Sequence, residues 1–275
     1  MPSSRLKLFL AGLLLVGCGG CQKGPPAPDP QAVAALQAKN RAEEKAEFLR
    51  QVAAGQDSFE LMTKAADNSW LEALKGKPIV ALNLVSLPVT DEGIAHLAGN
   101  PKMKKLLLEG TKMSDAGMRV VADMPELTVL TMNGEITDEG LKPVAGLTNL
   151  VELMLSDKVT DKGLPQLSRL TNLDSLGPLG PGVSGAGIDA LFPLQKLTTL
   201  RFYNSNITDA DLDKLARFPE LTSLELTGTK ITDAGLMKLA KLPKLKVLII
   251  GSTAVTPEGV AKLRAAKPDL TDVVL

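Results

Sequence analysis

Few side chains in this sequence could do covalent or metal chemistry. Thiols are confined to Cys18 and Cys21, and His96 is the single imidazole. With no cysteine after residue 21, neither a disulfide framework nor a cysteine-rich zinc site can form over most of the chain. One histidine also excludes the two-histidine metal motifs, and no serine is flanked by glycines two residues away on both sides, as a nucleophile elbow requires. Residues 180–185 read G-P-G-V-S-G and match a dinucleotide fingerprint letter for letter. That fingerprint also needs a larger parallel unit with a crevice for the cofactor. Ser184 instead falls on a repeat position described below and Pro178 replaces a core leucine, so the stretch reads as an irregular fifth repeat. Pro178 is expected to interrupt the sheet's hydrogen bonding there. Asp91, Asp115, Asp138, Asp161, Asp209 and Asp233 could suggest a row of calcium ligands. Each follows a helix-capping position, and each is expected to satisfy its own helix. His96 reads as a solvated helix residue. No cofactor, metal, catalytic residue or small-molecule substrate is expected, and an enzyme is the least favoured class. The 31 basic and 31 acidic residues cancel, leaving no electrostatic footprint for nucleic acid.

The elements that carry these residues repeat. A hexapeptide recurs as VTDEGI (89–94), MSDAGM (113–118), ITDEGL (136–141), VTDKGL (159–164), VSGAGI (183–188), ITDADL (207–212), ITDAGL (231–236) and VTPEGV (255–260). Its hydroxyl residues are Thr90, Ser114, Thr137, Thr160, Ser184, Thr208, Thr232 and Thr256, spaced by 23 or 24 residues. Thr or Ser ahead of an apolar-periodic stretch is a preferred helix N-cap, and the following Asp sits where the helix dipole favours negative charge. Glycine two residues after the Asp position costs roughly 1 kcal/mol inside a helix. Its recurrence points to close approach between the helix start and a neighbouring coil. Asp211 alone breaks the glycine series.

Ahead of the hexapeptides runs L-x-x-L-x-L, as in Leu127-Leu130-Met132, Leu150-Leu153-Leu155, Leu221-Leu224-Leu226 and Leu245-Leu248-Ile250. Its alternating end is a short strand with one face buried. Residues of opposite parity point the other way. Their central column reads Asn83, Leu107, Thr131, Met154, Gly177, Arg201, Glu225, Ile249 and Val274, flanked by Lys105, Glu109, Asn133, Glu152, Ser175, Tyr203, Ser223 and Thr227.

Strand, turn and short helix at this period resemble the leucine-rich repeat family, and the L-x-x-L-x-L-x-x-T-x-I-T-D-x-G-L form is similar to its cysteine-containing subclass. The resemblance covers residues 79–275. It implies an α/β solenoid, or horseshoe, with parallel strands on a concave face, short helices on the convex face and an N-terminal helical cap. The subclass often carries Cys after the strand; Thr111, Ser205, Thr229 and Thr253 stand there instead, and a hydroxyl can still bond neighbouring backbone. No F-box-like segment accompanies the repeats.

The N-terminal region is different in kind. Arg5 and Lys7 precede an apolar run over residues 8–16, the pattern of a secretory signal, and too short to span a bilayer comfortably. Leu15-Val16-Gly17-Cys18 looks like the lipobox of bacterial lipoproteins, which implies that 1–17 is removed and Cys18 receives a diacylglycerol. Cys21 has no such role. Residues 18–30, with Pro25, Pro26, Pro28 and Pro30, are a semi-stiff tether. Residues 31–78 do not repeat. The stretch 31–54 carries a sparse apolar stripe (Val33, Leu36, Phe48, Leu49, Val52) and is a cap helix or a stalk; 59–74 is expected to be a second helix, with Trp70 plugging the end of the solenoid.

Function is therefore sought on surfaces. Arg and Tyr most often anchor interfaces, and Arg201 and Tyr203 share the concave face with Glu225, Glu152, Met154, Leu107 and Thr131. Nine strands at ~4.8 Å make a sheet about 40 Å long, enough for a standard protein interface. The expected protein is a scaffold or receptor in the bacterial cell envelope, membrane-tethered through its lipid and binding a protein partner. The alternative is a structural or glycan-contacting envelope component.

Overall fold

The computed structural model describes residues 29–61, 65–132 and 135–275. The expected leader, the lipobox-like residues, Cys18, Cys21 and almost all of the expected tether lie outside the described residues, as does Asn133. The chain divides into two units, residues 1–40 and 41–275. In the first, residues 30–40 are helical and exposed throughout. The second holds everything else.

That second unit is built on a ten-stranded sheet in which every strand pairs in parallel with its neighbour in sequence. The strands are β1 (Ser58–Glu60), β2 (Ala81–Asn83), β3 (Lys105–Leu107), β4 (Val129–Thr131), β5 (Glu152–Met154), β6 (Ser175–Leu179), β7 (Thr199–Phe202), β8 (Ser223–Glu225), β9 (Val247–Ile249) and β10 (Asp272–Val274). The fourth position of L-x-x-L-x-L supplies one in-register row across them, Leu82, Leu106, Leu130, Leu153, Leu176, Leu200, Leu224 and Leu248. All are essentially solvent-free and belong to one core cluster running from Phe48 to Leu270. Each buried leucine stabilises the fold by roughly 2 kcal/mol relative to an exposed one. No single coil could bury its own row; stacking does.

The return segments are short. They are α-helical at α1 (Pro30–Ala53), α2 (Asn68–Leu71), α3 (Asp91–Ala95), α4 (Asp115–Val121), α5 (Asp138–Val144), α6 (Gly185–Ala190), α7 (Asp233–Leu236) and α8 (Pro257–Ala266). Tighter 3₁₀ turns occupy Glu72–Leu74, Leu164–Arg169, Asp209–Arg217 and Met237–Lys241. No helix of the described residues is long and apolar enough to cross a membrane.

Two sequence expectations change here. The stretch 59–74 is not one helix: Ser58–Glu60 is an added strand, so the sheet begins before residue 79 and has ten strands rather than nine. Cap and stalk are not alternatives within 31–54, because one continuous helix spans it; Phe48 and Val52 are buried, whereas Val33, Leu36 and Leu49 are exposed. Pro178 interrupts the ladder as expected, from inside β6: pairing to β5 ends at Leu176, and pairing to β7 skips Gly177 and Pro178 before resuming with Leu179 opposite Phe202. One extra residue on β6 is absorbed as a bulge. Trp70 does cap the core, stacked on Phe48 at 5.4 Å, with Phe59 edge-on to Phe48 at 5.2 Å.

Candidate functional site

Two places are built from the residues picked out by sequence, the line of hexapeptides and the outward face of the sheet. In the hexapeptides the hydroxyls cap as expected at Ser114, Thr137, Ser184, Thr232 and Thr256, each accepting from a backbone N–H in the first turn. Thr160 accepts from Lys162 N–H, although its helical turn starts later, at Leu164. Thr90 makes no side-chain cap, and Thr208 forms a capping box with Asp211, whose carboxylate accepts from the Thr208 N–H and hydroxyl.

The aspartates do something different from the expectation. None of the six serves its own helix alone; each carboxylate reaches the next coil and takes both the N–H and the hydroxyl of the capping residue there. The pairs are Asp91 to Ser114, Asp115 to Thr137, Asp138 to Thr160, Asp161 to Ser184, Asp209 to Thr232 and Asp233 to Thr256. All these bonds are 2.5–2.9 Å long, short as expected for charge-assisted contacts. The same N–H and hydroxyl hold the Asp233 carboxyl below the ordinary aspartate range, helped by Lys262. At the cap, Asn68 plays the part with an amide: Thr90 N–H donates to its Oδ1 and its Nδ2 donates to Thr90 Oγ1.

This arrangement explains the glycines. A Cβ on Gly117 would come within 2.5 Å of the Asp91 carboxylate, and one on Gly140 within 2.5 Å of Asp115. Gly93, Gly163, Gly187, Gly235 and Gly259 are packed in the same way against Asn68, Asp138, Asp161, Asp209 and Asp233. At Gly185 and Asp211 the letters are exchanged. Asp211 accepts from the N–H and hydroxyl of Thr208 in its own coil, and its carboxylate fills the space that a side chain on Gly185 would need. The link back to the preceding coil is made by Lys214, which donates to Gly185 O and pairs with Asp189. The glycines of 180–185 serve packing as well, Gly180 against Asp157 and Gly182 against Val159 and Thr160. These carboxylates are therefore joints, and among the described residues no group of three or more His, Cys, Asp or Glu could hold a metal ion.

Where Cys stands in the subclass, Thr111, Thr229 and Thr253 each donate a hydroxyl to the carbonyl three residues back. Ser205 is buried, and its hydroxyl has no partner.

On the sheet face the sequence column is reproduced in register except at Gly177, which pairs with neither neighbouring strand. Glu60, Asn83, Leu107, Thr131 and Met154 align from β1 to β5, and Arg201, Glu225, Ile249 and Val274 align from β7 to β10. Lys105, Val129, Glu152 and Ser175 form the adjacent column. Leu107, Val129, Glu152, Met154, Arg201, Glu225, Val247 and Ile249 are all half-buried, and Tyr203 is 48% exposed. Two apolar patches result, Leu107–Val129–Met154 and Val247–Ile249–Val274. Between them lie Arg201, donating to Ser175 Oγ at 3.2 Å, and Glu225, accepting from Thr227 Oγ1 at 3.0 Å. Thr131 departs from the expectation. It is buried, and its hydroxyl accepts from Leu108 N–H, so it offers a ligand nothing. Glu60, at the start of the column, escapes sequence reasoning because no leucine pattern announces β1.

With this geometry in place, comparison with known proteins is informative. A family model described as "Leucine Rich repeat" matches residues 220–240, the coil containing β8. Internalin C2 of Listeria monocytogenes superposes with a TM-score of 0.53 at 23% identity, over 83% of this chain and 92% of that one. A leucine-rich repeat protein of Leptospira interrogans gives a TM-score of 0.46 at 17% identity, over 74% of this chain and 62% of that one. No curated protein has a matching sequence. The match and the first superposition support the repeat reading, and the fold is a leucine-rich repeat solenoid.

Proposed function

We propose that this protein is a membrane-tethered leucine-rich repeat lipoprotein of the bacterial cell envelope that binds a partner protein on the outward face of its sheet. The observation that carries the reading is that face itself. Parallel sheets are normally covered on both sides, yet here helices cover one side only and the other presents half-buried Leu107, Val129, Met154, Val247 and Ile249. Apolar patches around a central Arg and Tyr are the composition of a protein interface. Ten strands at ~4.8 Å give it a length of about 43 Å. A glycan reader would present an aromatic platform, and Tyr203 is the one aromatic residue in these columns. Repeat proteins of this fold commonly serve as interaction scaffolds, which agrees with the reading.

Tethering rests on the sequence Leu15-Val16-Gly17-Cys18. Residues 1–17 would be the leader, Cys18 the lipid-bearing residue and 18–30 the spacer that holds the repeats off the membrane. Cys18→Ser should move the protein from the membrane fraction to the soluble one, and continued sedimentation with membranes would remove the anchor from the reading. For the face, a photo-crosslinking residue at Met154 or Tyr203 should capture a defined partner, and one at Glu139 on a return helix should not. Combined Arg201→Glu, Glu225→Arg and Tyr203→Ala should abolish capture at an unchanged melting temperature. Unchanged capture would refute the face as the binding site.

A further inference from the structure

Away from the sheet columns, a small hollow opens at the edge where the strands begin, between the loops that lead into β2 and β3. It holds about 160 Å³ and is lined by residues 76–78 of one loop and 99–102 of the next. That is below the roughly 300 Å³ at which sites for drug-sized ligands begin, and suits one small group. The backbone sets its shape. Gly76 and Gly99 turn the two loops at positive φ, 69° and 72°, and the buried Asn100 holds its amide within 3.2 Å of Ile79 N and O. The loops carry Lys75, Lys77, Lys102 and Lys104, all exposed, and Lys105 begins β3 beside them. None of these five ammonium groups has an ion pair. Every Asp and Glu of the sequence lies among the described residues. Asp57, Glu72 and Glu126 border the patch, and none of them pairs with it. Later coils show what is missing. At the same edge position Lys196 bonds Asn172 at 2.7 Å and Lys244 pairs with Glu220 at 2.6 Å, in each case the counterpart in the coil before. The counterpart before Lys102 is Pro78, which has no side-chain acceptor.

We infer that this edge is a contact for anionic lipid: the hollow takes a headgroup phosphate, and the lysines around it lie against a membrane surface rich in such phosphates. Lysine is a compact point charge on a flexible stem, which suits headgroups that present no fixed geometry. Each lysine near an anionic leaflet strengthens attachment by about fivefold, and a basic patch added to an acyl chain holds where one chain alone does not. The inference rests on the tethering reading, because a lipid on Cys18 is what would bring the first coils to a membrane. It adds an orientation to that reading. Held by the edge where its strands begin, the solenoid keeps the outward sheet face clear of the membrane and open to a partner.

The probe is a vesicle of phosphatidylglycerol mixed with phosphatidylcholine, and the protein is the full chain carrying Cys18→Ser, so that no lipid of its own contributes. It should sediment saturably with these vesicles and more weakly with phosphatidylcholine alone, and high salt should abolish the difference. Lys77→Gln with Lys102→Gln should weaken the anionic binding by about 25-fold without changing the far-ultraviolet circular dichroism. Lys196→Gln with Lys244→Gln removes the same charge from the same edge and should weaken it far less. Inorganic phosphate, added at constant ionic strength, should not compete. Equal binding to the two kinds of vesicle, or equal losses from the two double variants, would overturn the inference. So would competition by free phosphate, which would give the hollow to a soluble oxyanion. When Cys18→Ser is fractionated from cells, a high-salt wash strips this contact and leaves only what a lipid holds, so the anchor and the edge fail separately.

Discussion

Successive coils of this solenoid are joined in two ways. At Asp91–Ser114, Asp115–Thr137, Asp138–Thr160, Asp161–Ser184, Asp209–Thr232 and Asp233–Thr256, a carboxylate of one coil holds the N–H and hydroxyl of the next. Between the coils of Ser184 and Thr208 a carboxylate occupies the corresponding space but belongs to the later coil, as Asp211, and satisfies Thr208 from within. The comparison teaches that Asp and Gly of the hexapeptide are partners across a boundary. The glycine of each coil clears room for the aspartate of the coil before it. Exchanging the two letters together preserves one carboxylate per boundary and gives up one cross-coil link.

The comparison can be broken most severely by Gly185→Asp alone, which drives a second carboxylate into the space held by Asp211. We expect a loss of about 3 kcal/mol in urea unfolding, of the size seen for overpacked sites. Asp115→Ala removes a link at a regular boundary and leaves Thr137 N–H without its acceptor; the expected loss is about 1.5 kcal/mol by the same measurement. The double exchange Gly185→Asp with Asp211→Gly restores the common wiring. It should recover the whole penalty of the first substitution and add about 1 kcal/mol over the parent, a coupling that a double-mutant cycle reads directly. Additive penalties would show that the exchanged letters are unrelated.

Two weaker effects sharpen the picture. Ser205→Ala removes a buried hydroxyl with no partner and should be neutral or stabilising by up to about 1 kcal/mol, whereas Thr229→Ala, which loses a bond to Leu226 O, should destabilise. The Asp233 carboxyl sits below the ordinary range because Thr256 bonds its charged form. A depressed carboxyl contributes stability above its unfolded value, and that contribution disappears as pH falls through the folded one, in the region beneath about pH 4. Asp233→Asn, which copies the amide found at Asn68, should therefore differ from the parent in urea midpoint at pH 7, with the difference shrinking as the pH is lowered below about 4.

Much of this was legible in the sequence. The period, the leucine row, the outward columns and most of the caps follow from a spacing of 23 or 24 residues and an alternation of two. What escaped did so for physical reasons. A period locates Asp138 in its coil but does not tell which coil its carboxylate reaches, because neighbouring first turns are as close as residues within one turn. Ser58–Glu60 carries no leucine pattern and becomes a strand only because β2 offers it a ladder. Parity placed Thr131 on the open face, and a bond from Leu108 N–H keeps it covered. The aromatic cluster at the start of the sheet needed the fold, since Phe48, Phe59 and Trp70 meet there although no motif links them.

The bulge in β6 also bears on what the face can read. The leucine row and the column Lys105, Val129, Glu152, Ser175, Thr199, Ser223 and Val247 pass through β6 in step, whereas the column from Glu60 to Met154 resumes at Arg201 only beyond Gly177, which pairs with neither neighbour. A ligand that repeats with the strands meets one missing step in that column. An irregular protein surface has no repeat to keep. The face is thus a row with one gap, suited to a reader that is itself aperiodic.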